Sequence, residues 1–198
     1  MKNNDNAYHN FVKPIVVLVA ICFVVTFALA YVYGITAPII KENTAKAANE
    51  ARTELLQDAK GAFTMVADEE NNADKLYVLE EKKVYATDCY TADNGSGMVV
   101  TVKSNSYGGL LTAMIGIDKD GAVTAVKVTA HADTPGVGTK AQEPSHLAQY
   151  KGYSEIGSTD IKSDSSIKHV SGASISSGAI HKAVCCALEQ FKANGGVN

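Results

Sequence analysis

An uncharged segment near the beginning of the chain constrains its architecture more than any other feature. Residues 14–40 contain no Asp, Glu, Lys or Arg, and residues 15–35 are almost wholly apolar. A helix rises about 1.5 Å per residue, so this segment is long enough to cross a hydrocarbon core of about 30 Å. The sequence therefore predicts a single transmembrane helix at residues 14–37, with Thr36 and Pro38 at its exit.

A cleaved secretory signal is the alternative interpretation, since Ala28, Leu29 and Ala30 have the small-x-small form of a cleavage site. The apolar run continues past that point through Tyr31 and Tyr33, which favours an anchor with interfacial tyrosines. Basic residues nearly balance on the two sides of the helix and hardly decide its orientation. The simpler arrangement places residues 1–13 in the cytoplasm as a short N-terminus.

Length and charge limit what the remainder can be. The 198 residues fit one ordinary domain in addition to the anchor, and the net charge is −3. A mildly acidic chain lacks the basic patch that nucleic-acid binding requires, so we expect no nucleic-acid partner. The three cysteines outside the membrane helix, Cys89, Cys185 and Cys186, support neither a metal site nor a disulfide framework.

The residues after the anchor divide into a linking region and a domain. Residues 41–62 are rich in Ala, Glu, Lys and Leu, which predicts a juxtamembrane helix. Residues 68–74 are charged and polar and are typical of a loop. We therefore assign residues 38–74 to a juxtamembrane helix and linker, and residues 75–198 to an extracytoplasmic domain.

Short apolar stretches separated by turn signals dominate the first half of that domain. They are residues 76–79, 84–90, 98–102, 111–117 and 122–130. Their spacing predicts an antiparallel meander. A closing helix at residues 177–193 repeats apolar side chains at Ile180, Val184 and Leu188, a stripe that would pack on the sheet. The predicted fold class is thus α+β. His146, which lies near Pro144, is expected on a surface helix.

The closing helix begins at a turn rich in hydroxyl groups. Ser171, Gly172, Ala173 and Ser174 precede two more serines. A helix start carries unpaired backbone N–H groups and the positive end of the helix dipole, so a phosphate would be stabilised there. The alternative is that Ser174 or Ser176 is simply an N-cap.

Two further segments have the open backbone expected next to a ligand. One follows a predicted strand and reads Thr134, Pro135, Gly136, Val137, Gly138. Proline and two glycines within four residues force a turn. The other places an aromatic ring, Tyr107, directly before Gly108.

Together these segments resemble a known family. Its motifs are a tyrosine with two glycines, then His-x-Glu-Thr-Pro-Gly-Leu-Gly, then Ser-Gly-Ala-Thr, and all three occur here in that order. The chain is similar to the FMN-binding domain of the G subunit of the Rnf electron-transport complex and of the C subunit of the sodium-translocating NADH:quinone reductase. The resemblance covers most of the chain after about residue 75, and also the anchor.

The resemblance implies a cofactor and its attachment. In the family the last hydroxyl of Ser-Gly-Ala-Thr carries FMN as a phosphoester, added by a flavin transferase that uses FAD. The matching residue is Ser174, which keeps the nucleophilic oxygen and lacks only a methyl group. Three further departures are Lys168, where the family has an acidic residue, Asp133, where it has Glu, and Val137, where it has Leu. The resemblance places the flavin ring against Tyr107 and residues 134–138. Lys140 and His131 are candidate charge partners of the cofactor; the alternative is that both side chains are simply solvated and have no role.

The implied function is electron transfer. The resemblance predicts a membrane-anchored subunit of an Rnf-type complex that couples ferredoxin:NAD oxidoreduction to Na⁺ or H⁺ translocation. Its expected partners are the other membrane subunits and the flavin transferase. The chain has no cluster-type cysteine motif, Walker loop or dinucleotide fingerprint, so other subunits would handle ferredoxin and NAD. The alternatives are the C subunit of the quinone reductase, a free-standing extracytoplasmic flavin carrier and a non-redox membrane scaffold. The C subunit is usually longer than this chain, which favours the G subunit.

Overall fold

The computed structural model describes residues 12–196 of the chain. The predicted cytoplasmic segment 1–13 lies almost entirely outside these residues. The chain divides between Ala47 and Ala48 into two compact units. Within the second unit lie the sheet and every cavity considered below.

The first element is one uninterrupted helix, α1 (Lys13–Leu55), of 43 residues. It is long and apolar enough to cross a membrane. The sequence predicted an exit at Thr36 and Pro38 and a separate helix from residue 41, whereas α1 continues through Pro38. Pro38 lacks an N–H for the helical ladder and its ring crowds the carbonyl four residues earlier, but the Ala-, Glu- and Lys-rich sequence that follows has high helix propensity, and the helix continues.

A single antiparallel sheet forms the centre of the second unit, which confirms the predicted α+β class. Its strands are β1 (Phe63–Asp68), β2 (Val78–Glu80), β3 (Val84–Ala92), β4 (Gly97–Ser106), β5 (Gly109–Asp118) and β6 (Val123–Ala130). They follow the order β1-β3-β4-β5-β6, and β2 also pairs with β3. Strand β6 therefore forms one edge of the sheet.

Strand β1 differs from the sequence-based division, which placed residues 38–74 ahead of the domain. Lys60 and Gly61 have φ values of 55° and 80°, so the chain reverses directly after the helix. Residues 63–68 then pair with β3. Phe63, Thr64 and Val66 favour a strand, but the run is short and its partner strand is distant in sequence.

The sheet is covered on both faces. Consecutive residues of a strand point to opposite faces, and Val99 and Val100 of β4 belong to two different apolar clusters. Val99 packs with Ala51 and Leu55 from the end of α1. On the other face, Val100 packs with the helix α3 (Ser174–Ala193), through residues such as Ile180 and Val184.

A glycine in β5 lets the end of α1 approach the sheet closely. A Cβ on Gly116 would lie 2.8 Å from the carbonyl oxygen of Leu55 and 2.5 Å from Oγ1 of Thr124. The Thr124 hydroxyl donates a hydrogen bond to the same Leu55 oxygen at 2.6 Å. A side chain at position 116 would therefore displace the helix end.

Between the sheet and α3 the chain forms a short helix, α2 (Pro144–Leu147), with 3₁₀ turns at Gly138–Gln142 and Ala148–Tyr150. His146 of α2 is only 4% exposed, so its predicted surface position is wrong. Its Nδ1 lies 2.9 Å from Nε2 of Gln149, and its ring packs edge-on against Tyr150. Burial lowers the pKa of His146.

Candidate functional site

The three sequence segments converge on one cavity of about 540 Å³. This volume lies in the range typical of small-molecule sites. Seven of the residues predicted from the sequence line the cavity: Tyr107, Thr134, Val137, Gly138, Gly172, Ala173 and Ser174. Ile175 and Ser176 complete its lining.

The start of α3 forms one wall and is uncapped. The N-cap position is Ala173, no side chain of residues 12–196 caps the helix, and its first turn contains no acidic residue. The N-cap interpretation of Ser174 or Ser176 is therefore wrong. The N–H groups of Ser174, Ile175 and Ser176 have no backbone acceptor within residues 12–196, whereas that of Ser177 bonds to Ala173. Unpaired N–H groups and the helix dipole together favour an anionic ligand.

The proline-glycine loop forms the opposite wall. The carbonyl oxygen of Thr134 accepts hydrogen bonds from the N–H groups of Val137 at 3.2 Å and Gly138 at 3.0 Å. Gly136, with a φ of 74°, donates its N–H to Oγ1 of Thr139 at 2.8 Å. The loop is thus ordered by its own bonds, and Pro135 and Gly136 lie on its outer side, away from the cavity lining.

Asp133 joins this loop to the turn that carries Tyr107. Its side chain is 4% exposed. The Ser106 hydroxyl lies 2.8 Å from both carboxylate oxygens, and the Gly108 N–H donates to one of them at 3.0 Å. A buried carboxylate with several donors holds its partners firmly, because loss of the acceptor would leave them unsatisfied.

Two glycines allow the close contacts at this junction. A Cβ on Gly138 would lie 2.8 Å from Cβ of Asp133 and 2.9 Å from Oγ of Ser176. A Cβ on Gly108 would lie 2.1 Å from the carbonyl oxygen of Ala132. The Tyr107 turn, the 134–138 loop and the first turn of α3 are therefore packed too tightly to accept larger residues at either position.

The mouth of the cavity is apolar. Tyr107 is 72% exposed, and Val137 and Ile175 are also exposed. Ile175 was not predicted as a site residue, because its exposure becomes visible only in the structure. Ser176 was predicted as one of the hydroxyls beside the ligand and, alternatively, as a cap. An aromatic and aliphatic rim suits the flat face of an aromatic ligand.

Besides Pro135 and Gly136, four predicted residues lie outside the cavity lining: Gly108, His131, Lys140 and Ser171. Ser171 and His131 are exposed. Lys140 lines a separate cavity of about 270 Å³ that also contains Lys168 and His146. Gln149 holds the peptide of Lys168, accepting its N–H at 2.9 Å.

The comparisons with known proteins agree with this geometry. Residues 106–189 match the FMN-binding domain family, and this span contains every residue that lines the cavity. The NqrC protein of Shewanella oneidensis has a similar fold, with a TM-score of 0.51 and 16% sequence identity, covering 75% of this chain and 96% of that one.

Similarity to whole proteins extends over most of the chain. The chain is 30% identical over 175 residues to the G subunit of the proton-translocating ferredoxin:NAD(+) oxidoreductase complex of Clostridium ljungdahlii, and the match covers 85% of each chain. It is 29% identical over 189 residues to the G subunit of the ion-translocating oxidoreductase complex of Methanosarcina acetivorans, covering 93% of this chain and 96% of the relative. The G subunit of the Na(+)-translocating ferredoxin:NAD(+) oxidoreductase complex of Acetobacterium woodii is 27% identical over 192 residues, covering 89% of each chain.

Proposed function

Since the chain belongs to the family of G subunits of ion-translocating ferredoxin:NAD(+) oxidoreductase complexes, we propose that it carries electrons within such a complex through FMN. The observation that carries the proposal is the convergence of three motif segments on one cavity inside the FMN-binding domain. FMN, when bound, supplies the capacity to accept or release one or two electrons. The family membership predicted from the motifs is confirmed.

The residues of the cavity fit this cofactor. The unpaired N–H groups of Ser174, Ile175 and Ser176 would bind its phosphate, since they lie at the positive end of a 20-residue helix. The apolar rim of Tyr107, Val137 and Ile175 would cover the ring system and exclude water from it. In the part of the chain that the structure describes, no acidic side chain lines the cavity to repel a phosphate.

We further propose that the phosphate is esterified to Ser174. This side chain is half-buried and lines the cavity at the first position of α3. Transfer from FAD would form a bond between Oγ of Ser174 and the FMN phosphorus and break the diphosphate bond, so that AMP leaves and the hydroxyl proton is lost. The first-turn N–H groups of α3 would hold the phosphate oxygens before and after this step.

The anchor and the orientation complete the proposal. Helix α1 would tether the domain to the membrane, with residues 1–13 in the cytoplasm and the flavin domain on the extracytoplasmic side. Its partners would be the other membrane subunits and a flavin transferase. The complex as a whole, in which this chain has no turnover of its own, would couple ferredoxin:NAD oxidoreduction to Na⁺ or H⁺ translocation.

Coexpression with an FAD-dependent flavin transferase tests the cofactor and its attachment. We expect the intact mass of the full chain to rise by one FMN less one water, and the protein to fluoresce yellow on a denaturing gel. Ser174→Ala should abolish both signals, and Ser174→Thr should keep them. Ser171→Ala, a hydroxyl outside the cavity lining, is the matched control and should label like the wild type.

Two results would contradict the proposal at different levels. Labelling that persists in Ser174→Ala would move the attachment to another hydroxyl while leaving the cofactor in place. A wild-type protein that never copurifies with flavin, attached or dissociable, would favour the non-redox scaffold.

A further inference from the structure

A second cavity, also of about 540 Å³, lies along the outer side of the edge strand β6. Residues 124–128 of β6 line it, together with Glu54 and Leu55 from the end of α1. Its other wall contains Pro144, Leu147 and Ala148. This cavity, called the β6 groove below, shares no lining residue with the candidate flavin cavity.

The outer side of the β6 backbone, away from β5, is unpaired along this groove within residues 12–196. On the side away from β5, Val123 exchanges hydrogen bonds with Gly152 and Tyr153. From residue 125 to residue 130, the strand has no backbone partner other than β5 within residues 12–196. An edge strand with unpaired N–H and C=O groups is a template for one more strand.

The two walls would enclose such a strand. The end of α1 packs on one face of the sheet, while Leu147 packs against the cluster on the other face. A segment added to β6 would therefore extend the sheet between these walls.

The walls also define the chemistry of the added segment. Lys127 of β6 forms an ion pair with Glu54 on the face of the sheet that α1 covers. Side chains of the added segment that point to this face would therefore meet charged groups. Side chains pointing to the other face meet Val126, Val128, Pro144 and Leu147. Because side chains alternate along a strand, the matching segment alternates polar and apolar residues.

We propose that the β6 groove binds an extended segment of another subunit of the complex, which pairs with β6 as an additional strand. The choice of another subunit as the source rests on the proposed function, since the related proteins are subunits of multisubunit complexes. The unpaired backbone and the alternating chemistry of the walls do not depend on that choice.

The test uses the full chain in the complex purified from native membranes. Ala148 is exposed in the groove wall, so Ala148→Arg fills the groove without entering the core. We expect the amount of partner subunits that copurify to fall about tenfold, the effect of losing roughly 1.4 kcal/mol of binding free energy. Ala73→Arg makes the same change at an exposed site outside the groove and should leave the complex intact.

A photoreactive p-benzoylphenylalanine identifies the occupant. Placed at Thr129 on the open edge, it should crosslink to another subunit of the complex, in a peptide with alternating polar and apolar residues. Placed at Met65 on the opposite edge strand β1, it should not. Crosslinking to a second copy of this chain, crosslinking only from Met65, or an intact complex with Ala148→Arg would each overturn the proposal. The flavin content of the same samples is measured by mass. Bound flavin without the expected crosslink would contradict the strand-pairing proposal alone, whereas missing flavin would contradict the proposed function.

Discussion

Asp133 accepts a hydrogen bond from the backbone N–H of Gly108 at 3.0 Å, across 25 residues of sequence. The bond links two of the three segments that line the candidate flavin cavity, and the third is in contact through Gly138 and Ser176. The shape of the cavity therefore depends on a residue that does not itself line it.

Removing this carboxylate should affect both stability and flavin labelling. Asp133→Ala leaves the Ser106 hydroxyl and the Gly108 N–H without their acceptor, at a cost of about 2–4 kcal/mol. We expect a lower urea midpoint by circular dichroism and slower labelling at Ser174. Asp74→Ala, an exposed carboxylate, is the control and should match the wild type in both measurements. Labelling at the wild-type rate in folded Asp133→Ala would show that this junction does not position the cavity.

Gly138 should tolerate no side chain. In Gly138→Ala the new Cβ would meet Asp133 at 2.8 Å and Ser176 at 2.9 Å, so the loop and the first turn of α3 must separate. Overpacking of this kind costs about 1–3 kcal/mol, which thermal unfolding would detect. In Gly157→Ala the added methyl has nothing within 4 Å, and we expect no change. Equal melting temperatures for the two variants would mean that the contact relaxes without cost.

His146 should make stability depend on pH below neutrality. Burial lowers the pKa of this side chain from its ordinary value of 6.5, so the folded state binds the proton less well than the unfolded state. The contribution of His146 to stability is complete above 6.5 and is lost as the pH falls below that value. We expect His146→Gln to lose less stability than the wild type between about pH 7.5 and pH 5.5 in urea titrations. His131→Gln, at an exposed position, is the comparison, and an identical slope for wild type and His146→Gln would contradict the prediction.

Asp88 should act with the opposite sign. Burial raises the pKa of this carboxyl above its ordinary value of 3.8, although the Thr101 hydroxyl donates to it at 2.8 Å. The folded state thus favours the protonated form, and the contribution of Asp88 is present below 3.8 and lost as the pH rises through the raised value. Asp88→Asn should reduce that loss, so its stability relative to wild type should increase from about pH 3.5 to about pH 7 in urea titrations. A constant difference across this range would show that the carboxyl titrates alike in both states.

The strands show what sequence reasoning captures. Alternation and turn signals predicted β3 at residues 84–90 and β5 at residues 111–117, and the structure extends them to Val84–Ala92 and Gly109–Asp118. These errors are at strand ends, where pairing with a neighbour decides the boundary. β1 was missed because its run of strand-favouring residues is short and its partner, β3, is distant in sequence.

The site shows a similar division. Glycine, proline and hydroxyl patterns located the segments around Tyr107, Val137 and Ser174, because these residue types report local backbone geometry. They could not indicate that Lys140 lines a different cavity. Nor could they identify Asp133 as the junction, since its partners Ser106 and Gly108 lie more than 20 residues away.

Ala173 has a consequence for the stability of this turn. A serine or aspartate at that position would stabilise α3 by about 0.5–2 kcal/mol, and its oxygen would then occupy the donors that an incoming anion needs. The alanine before Ser174 therefore leaves these donors open at the expense of helix stability. Stabilising redesigns of this domain should therefore leave that methyl group untouched.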